Sequence, residues 1–222
     1  MDTQRATGPE TDDSYARLRQ AIVQGDLLPN ERLVELDLAQ TYGVGRAAIR
    51  TALARLEQEG LVEREPNRGA RVRAISETEA VEIFEARAVL EGLVARYAAQ
   101  QATEADVAEL RAISAQMQQR FENSDLLGMS DLNSQLHAKL QQIADNATVS
   151  RLLERLQAHH VRYQYRTILV PGRAPHSLQE HRAIVEAIAA HDSDAAEAAM
   201  RTHLSHVVEA LRRSSSGARG RI

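Results

Sequence analysis

The chain has 222 residues, enough for one small and one larger domain, each with its own core. It has no cysteine, which excludes disulfides and thiolate metal sites, and no apolar run approaches the roughly 18 residues that a membrane span needs. The net charge of −4 is unevenly spread: Val44 to Arg73 holds seven arginines against four glutamates, whereas Ser76 to Arg213 holds 14 basic and 19 acidic residues, so only one end is electrostatically suited to nucleic acid.

Met1 to Glu10 is polar, contains Gly8-Pro9 and is not signal-like; it is expected to be a disordered tail on a cytoplasmic chain. Thr11 to Ser14 can cap a helix of about Tyr15 to Gln24, with Tyr15, Leu18 and Ile22 on one face and Gly25 as its stop. Leu33, Leu36, Leu38, Ala39 and Tyr42 give a second short helix an apolar side, and Gly43 ends it, because glycine accepts the left-handed backbone of a sharp turn. A third helix starts within three residues, at Gly45 or Arg46, and runs to Glu59, with Ile49, Ala52, Leu53 and Leu56 on its buried face. Arg46 and Arg50 lie one turn apart on the other side. Two helices joined by so brief a turn cross steeply and leave the second free to project, which is where a recognition helix needs guanidinium groups for guanine O6 and N7. Leu61 to Arg64 and Ala70 to Arg73 then read as strands around the turn Pro66-Asn67-Arg68-Gly69, a wing that carries Arg68 at its tip. Helix, turn, arginine-bearing helix and hairpin arrive in the order of a winged helix-turn-helix over residues 11–75.

At Ser76-Glu77-Thr78-Glu79 a capping box marks the start of a second domain, residues 76–213. Everything there reads as helix: Glu79 to Ala99, Thr103 to Phe121, Ser124 or Asp125 to Ile143, Ala147 to Leu169, Ser177 to Ala190 and Ser193 to Arg213, with Pro171 to Pro175 breaking the chain. The fold class is therefore mainly α, a winged helix-turn-helix followed by an antiparallel helical bundle, with Ser214 to Ile222 as a disordered basic tail. All eight histidines lie from His137 to His206, and His137, His181 and His203 fall on the inward faces of three different helices, with Asn133 one turn before His137. Facing helices can bring such residues into a site for a divalent transition metal, zinc or nickel, but the same spacing also fits isolated core or surface histidines. Arg87 stands on the first bundle helix either as a bidentate clamp for an acid or as an ion pair with Glu91, one turn on. Arg162, Tyr163 and Arg166 either line a pocket or form a solvated face.

The run LAQTYGVGRAAIRTALARLEQEGLV, Leu38 to Val62, resembles the GntR family of bacterial transcription regulators, a likeness that extends over about residues 14–73. The resemblance implies a double-stranded DNA operator as partner, with DNA contacts at Gly45, Arg46, Ala47, Arg50, Arg68 and Gly69. Gly45 stands where serine or threonine is usual, Ala47 and Ala48 replace a threonine-proline pair, and Leu36 lies where some members carry a DNA-contacting arginine. Residues 79–212 resemble the FCD ligand-binding domain of the FadR-type subgroup, at Arg87 to Glu91, Asn133 to His137, Asn146, Glu180 to Ile184 and His203-Leu204. That likeness implies metal ligands at Asn133, His137, His181 and His203, a small carboxylate effector contacting the metal and basic side chains, and a homodimer. The expected function is a transcriptional regulator, a repressor by the family's commoner mode, in which effector binding changes how two winged domains meet DNA. Sensing of the metal alone is the alternative. A metal-dependent enzyme is a weaker one, since no general base with a catalytic motif stands near the ligands.

Overall fold

The computed structural model describes the backbone of residues 9–65 and 69–218, and the side chains within them apart from 9–11, 65, 157–166 and 214–218. The chain divides into two compact units, residues 1–75 and 76–222.

The first unit is built from α1 (Pro9–Gln24), β1 (Arg32–Leu33), α2 (Glu35–Tyr42), α3 (Arg46–Gln58), β2 (Val62–Glu65) and β3 (Gly69–Val72). Its core is aliphatic: Leu18, Ile49, Ala52, Leu53 and Leu56 are all but inaccessible, and Leu33, Leu61, Val62, Ala70 and Val72 close the layer from the sheet side. The three strands are antiparallel in the order β1-β3-β2, with Leu33 opposite Ala70 and Val62 opposite Val72. Several sequence expectations change here. Leu33 belongs to β1 rather than to the apolar side of α2, and Leu36 of α2 is half exposed instead of joining the core. The helix α1 begins at Pro9, six residues before Tyr15, so Pro9 and Glu10 belong to a helix instead of a disordered tail, and Ser14 is a buried residue inside the helix instead of its cap. Proline is favoured at a first helical position because its missing N–H would have no partner there.

The second unit consists of α4 (Glu77–Gln101), α5 (Glu104–Glu122), α6 (Leu126–Ala144), α7 (Ala147–Ile168), α8 (Arg173–Ala189) and α9 (Ser193–Ala218). Its caps are local sequence features. Ser76, Asp125 and Asn146 each accept a backbone N–H three residues on, and Thr103 and Asp106 form a reciprocal capping box. The helices α4 and α9 run antiparallel along much of their length, cross-linked by Arg96 to Asp194 and Glu197 and by Arg212 to Glu85. They approach closely at Gly92, where a Cβ would stand 3.0 Å from the Arg201 Cγ. The helix α8 starts at Arg173, four residues before the expected Ser177. Gly172 turns the chain with φ 81°, and Pro175 falls in the first turn, where helical N–H groups have no intrahelical acceptor. The helix α9 runs on to Ala218, so the expected disordered tail from Ser214 is helical over that stretch; residues 219–222 lie outside the described part.

Gly43 has φ 68° and nothing within 4 Å of where a Cβ would be, so a substitution there meets conformational strain alone. Gly43→Ala is expected to destabilise the winged unit by about 1–2 kcal/mol. Gly43→Asn should cost less, because asparagine tolerates the left-handed region. Urea unfolding of both variants checks the order, and equal stabilities would contradict it.

Candidate nucleic-acid interface and metal centre

In the winged unit, α3 turns Ile49, Ala52, Leu53 and Leu56 inward and leaves Gly45, Arg46, Ala47 and Arg50 exposed around its amino-terminal end. Gly45 occupies the N-cap position without a side-chain hydrogen bond, so the first N–H groups of α3 are not capped by their own side chain. Arg50 is bound by Glu35 of α2: its Nη2 donates to Oε2 at 2.9 Å, and its Nε lies 3.2 and 3.3 Å from the two carboxylate oxygens. Arg46 stands 3.9 Å from the same carboxylate, beyond hydrogen-bond distance. From β2, Arg64 donates to the backbone carbonyl of Arg50 at 3.0 Å. Arg71 pairs with Glu63 directly across the β2–β3 ladder, and Gly69 opens β3 in an exposed position with φ 87°. A groove of about 550 Å³ runs between these elements, lined by Glu35, Leu36, Arg46, Arg64 and Gly69 among others. Arg68 lies outside the described residues.

In the helical unit, His137 of α6, His181 of α8 and His203 of α9 come together in the core. Their ring centroids are 4.3 to 5.6 Å apart, and one nitrogen from each lies within 4.8 Å of the others. All three are buried, His181 completely. Each ring is oriented from behind through Nδ1. His137 Nδ1 bonds the Glu91 carboxylate of α4, His181 Nδ1 donates to the Ser177 carbonyl at 2.7 Å, and His203 Nδ1 bonds Glu180 Oε2 at 2.8 Å. The tautomer that satisfies these acceptors leaves the Nε2 lone pair of every ring free, which is the arrangement of metal-ligating histidines. Burial, then the neighbouring imidazoles, push the pKa values of His181 and His203 well down, so both stand neutral.

The two carboxylates of this network are each matched by an arginine. Arg87 donates to Glu91 at 2.8 Å through Nε and closes to 2.5 Å through Nη2. Burial disfavours the Glu91 anion, but Arg87 and His137 outweigh it and hold the carboxyl below the ordinary range. Of the two readings of Arg87 that the sequence left open, the ion pair with Glu91 is the one present, although the side chain also borders the cavity. Arg173 was not expected in the site at all. It is buried, donates to Glu180 through Nη2 at 2.7 Å, and borders the same cavity as Asn133, His137 and His203. Glu180 takes a third partner, His206, at 2.8 Å. Among the described residues, Arg173 Nη1 and His181 Nε2 are the buried side-chain atoms left without a hydrogen-bond partner. An unmet donor and an unmet lone pair in one core mark a place where a ligand belongs. The cavity has a volume of about 40 Å³, room for an ion and small next to an organic effector. The side chains of Arg162, Tyr163 and Arg166, on α7, lie outside the described residues, as do those of His159 and His160.

Comparison with known proteins matches residues 11–72 to the bacterial regulatory proteins of the gntR family and residues 82–206 to the FCD domain. The chain is 30% identical over 206 residues to the HTH-type transcriptional repressor RspR of Escherichia coli K12, covering 93% of this chain and 90% of that protein. It is 27% identical over 213 residues to the HTH-type transcriptional repressor GlaR of the same organism, covering 92% and 97%. Among solved structures, E. coli McbR/YncC superposes with a TM-score of 0.78 at 19% identity, covering 93% of this chain and 98% of that one, which shows a shared fold. RspR and GlaR are both transcriptional repressors by name, and among the described residues no helix is long and apolar enough to cross a membrane. The chain belongs to the GntR family of bacterial transcription regulators, with a winged helix-turn-helix that binds DNA and a carboxy-terminal FCD domain.

Proposed function

We propose that this regulator is a cytoplasmic homodimeric repressor whose affinity for its operator is set by a divalent transition metal, zinc or nickel, together with a small carboxylate. His137, His181 and His203 are the nitrogen ligands in this reading, and Asn133, one turn before His137 and bordering the same cavity, adds an amide oxygen. The observation that carries it is the orientation of all three imidazoles through Nδ1 by acceptors of the chain itself. A bound divalent cation supplies positive charge and open coordination positions for an anionic ligand. The repressor role rests on the names of RspR and GlaR, and the Arg46 and Arg50 face of α3 is the DNA-reading surface.

The anion contact moves from Arg87 to Arg173. Arg87 is committed to Glu91, and breaking that pair would leave a buried carboxylate uncompensated. Arg173 borders the cavity and keeps Nη1 unpaired while Nη2 holds it to Glu180. The small cavity favours a second reading, in which the metal alone is the signal and the organic acid is dispensable.

Four outcomes test these statements. His137→Ala combined with His203→Ala should abolish stoichiometric metal in elemental analysis while the winged unit stays folded, and retained metal would reject the ligand set. In zinc-loaded protein, Arg173→Gln should weaken acetate binding about 10- to 100-fold per bound metal ion, the loss of a charge-assisted hydrogen bond. Operator binding measured with zinc alone and with zinc plus acetate separates the metabolite sensor from the metal sensor. The fourth outcome concerns pH. The depressed pKa values of His181 and His203 mean that the unfolded chain takes up protons below about pH 6.5 where the folded, chelator-treated chain does not. Stability is therefore fully present above that pH and falls below it, by up to about 1.4 kcal/mol per pH unit per imidazole. Denaturation between pH 7 and 5.5 reads this slope, and a flat profile would contradict the neutral, desolvated state of the two rings.

A further inference from the structure

Glu35 places a carboxylate among the arginines of the DNA-reading face, against Arg50 and Arg46 of α3. It begins α2 and faces α3, and Arg50, Arg46 and Arg64 all act on it electrostatically. The hydrogen bond from Arg50 keeps its carboxyl below the ordinary range, so the group stays ionised. The first turn of α2 favours a carboxylate there, but a negative charge on a surface that must approach phosphates opposes non-specific binding, so its position has a consequence for DNA reading.

The geometry supplies that use. A guanidinium carries five N–H groups in a plane, and they form distinct edges. Glu35 occupies the side edge of Arg50, made by Nε and Nη2, at 2.9 to 3.3 Å. The end edge, formed by Nη1 and the second hydrogen of Nη2, is left over, and it is the edge that fits guanine O6 and N7 in a bidentate pair. Arg64 binds the carbonyl of Arg50 at 3.0 Å, so the backbone of that turn is held as well as its side chain. Arg46, at 3.9 Å from the carboxylate, has no such fork. The two arginines at the start of α3 thus differ: Arg50 is fixed in direction by a second helix, and Arg46 is held by no such fork.

We propose that Glu35 is a specificity-determining residue, which holds Arg50 by its side edge so that the end edge meets one guanine and is kept from wandering to the backbone. This rests on α3 being the base-reading helix. Removing the carboxylate should release Arg50 to phosphates, which lowers discrimination between bases while leaving non-specific affinity equal or higher.

The experiment is a selection from a randomised duplex library at about 0.15 M salt, using the full chain, followed by affinity measurements on the selected duplex and on single-base variants. Wild type, Glu35→Gln, Glu35→Asp, Arg50→Lys and Arg50→Ala are compared. Both Arg50 variants should lose guanine preference at one position. Glu35→Gln should lose about 10-fold of the discrimination at that same position and bind mixed-sequence DNA as well as wild type or better. Glu35→Asp keeps the charge but is too short for the full fork; it should lose discrimination without the gain on mixed-sequence DNA. Full guanine preference in Glu35→Gln, alongside its loss in Arg50→Lys, would overturn the role of Glu35 while leaving α3 as the reader. Unchanged preference in both Arg50 variants would instead overturn base reading by Arg50, and the proposal with it.

Discussion

Three imidazoles are buried in the largely apolar core of a helical bundle, and that burial dictates the charged residues around them. Inside low dielectric, every ring N–H needs an acceptor, and each acceptor that is a carboxylate needs a positive partner of its own. Glu91 answers His137 and is answered by Arg87, while Glu180 answers His203 and is answered by Arg173. The backbone carbonyl of Ser177 serves His181 without adding charge. The network ties α4, α6, α8 and α9 together in one arrangement, and its members are satisfied on the outer side while the inner side is not. Arg173 Nη1 and His181 Nε2 ask for opposite things, an acceptor and an electrophile. A cation with an anionic ligand meets both at once, and the surrounding ion pairs bring no net charge that would already have done so.

The amount of this that could be read in the chain follows physical range. Helices and their caps depend on residues three or four apart, so Ser76, Thr103, Asp125 and Asn146 mark real helix starts, and Gly43 marks the turn before α3. The histidines were legible as a group because each sits on the apolar stripe of its helix. Glu91 and His137 meet across 46 positions, and no local pattern announces such a bond. The strand β1 was missed because two residues are too few to show alternation; it exists only because β3 offers it a partner. Arg173 was missed for a different reason. Proline at 171 and 175 reads as a break, but Pro175 sits in the first turn of α8, where the missing N–H is harmless. Extending α8 back by four residues is what turns Arg173 into the core.

The winged unit and the bundle use the same local device on different chemistry. In the winged unit, a carboxylate at the start of α2 fixes a guanidinium of α3; in the bundle, carboxylates on α4 and α8 fix imidazoles on α6 and α9. In each case the group that orients lies on a different helix from the group it orients. The placement therefore depends on tertiary packing, which is stiff, more than on rotamer preference, which is not. Free arginine side chains lose up to about 2 kcal/mol of rotamer entropy when they are immobilised on a partner. An arginine already held by Glu35 has lost much of that freedom on folding, so less is lost on binding. What the chain gives up is general attraction for polyanions, because the holding group is itself an anion. Leu36, exposed beside Glu35, adds no charge of its own to that balance, while Glu57 and Glu63 offset Arg64 and Arg71 of the wing.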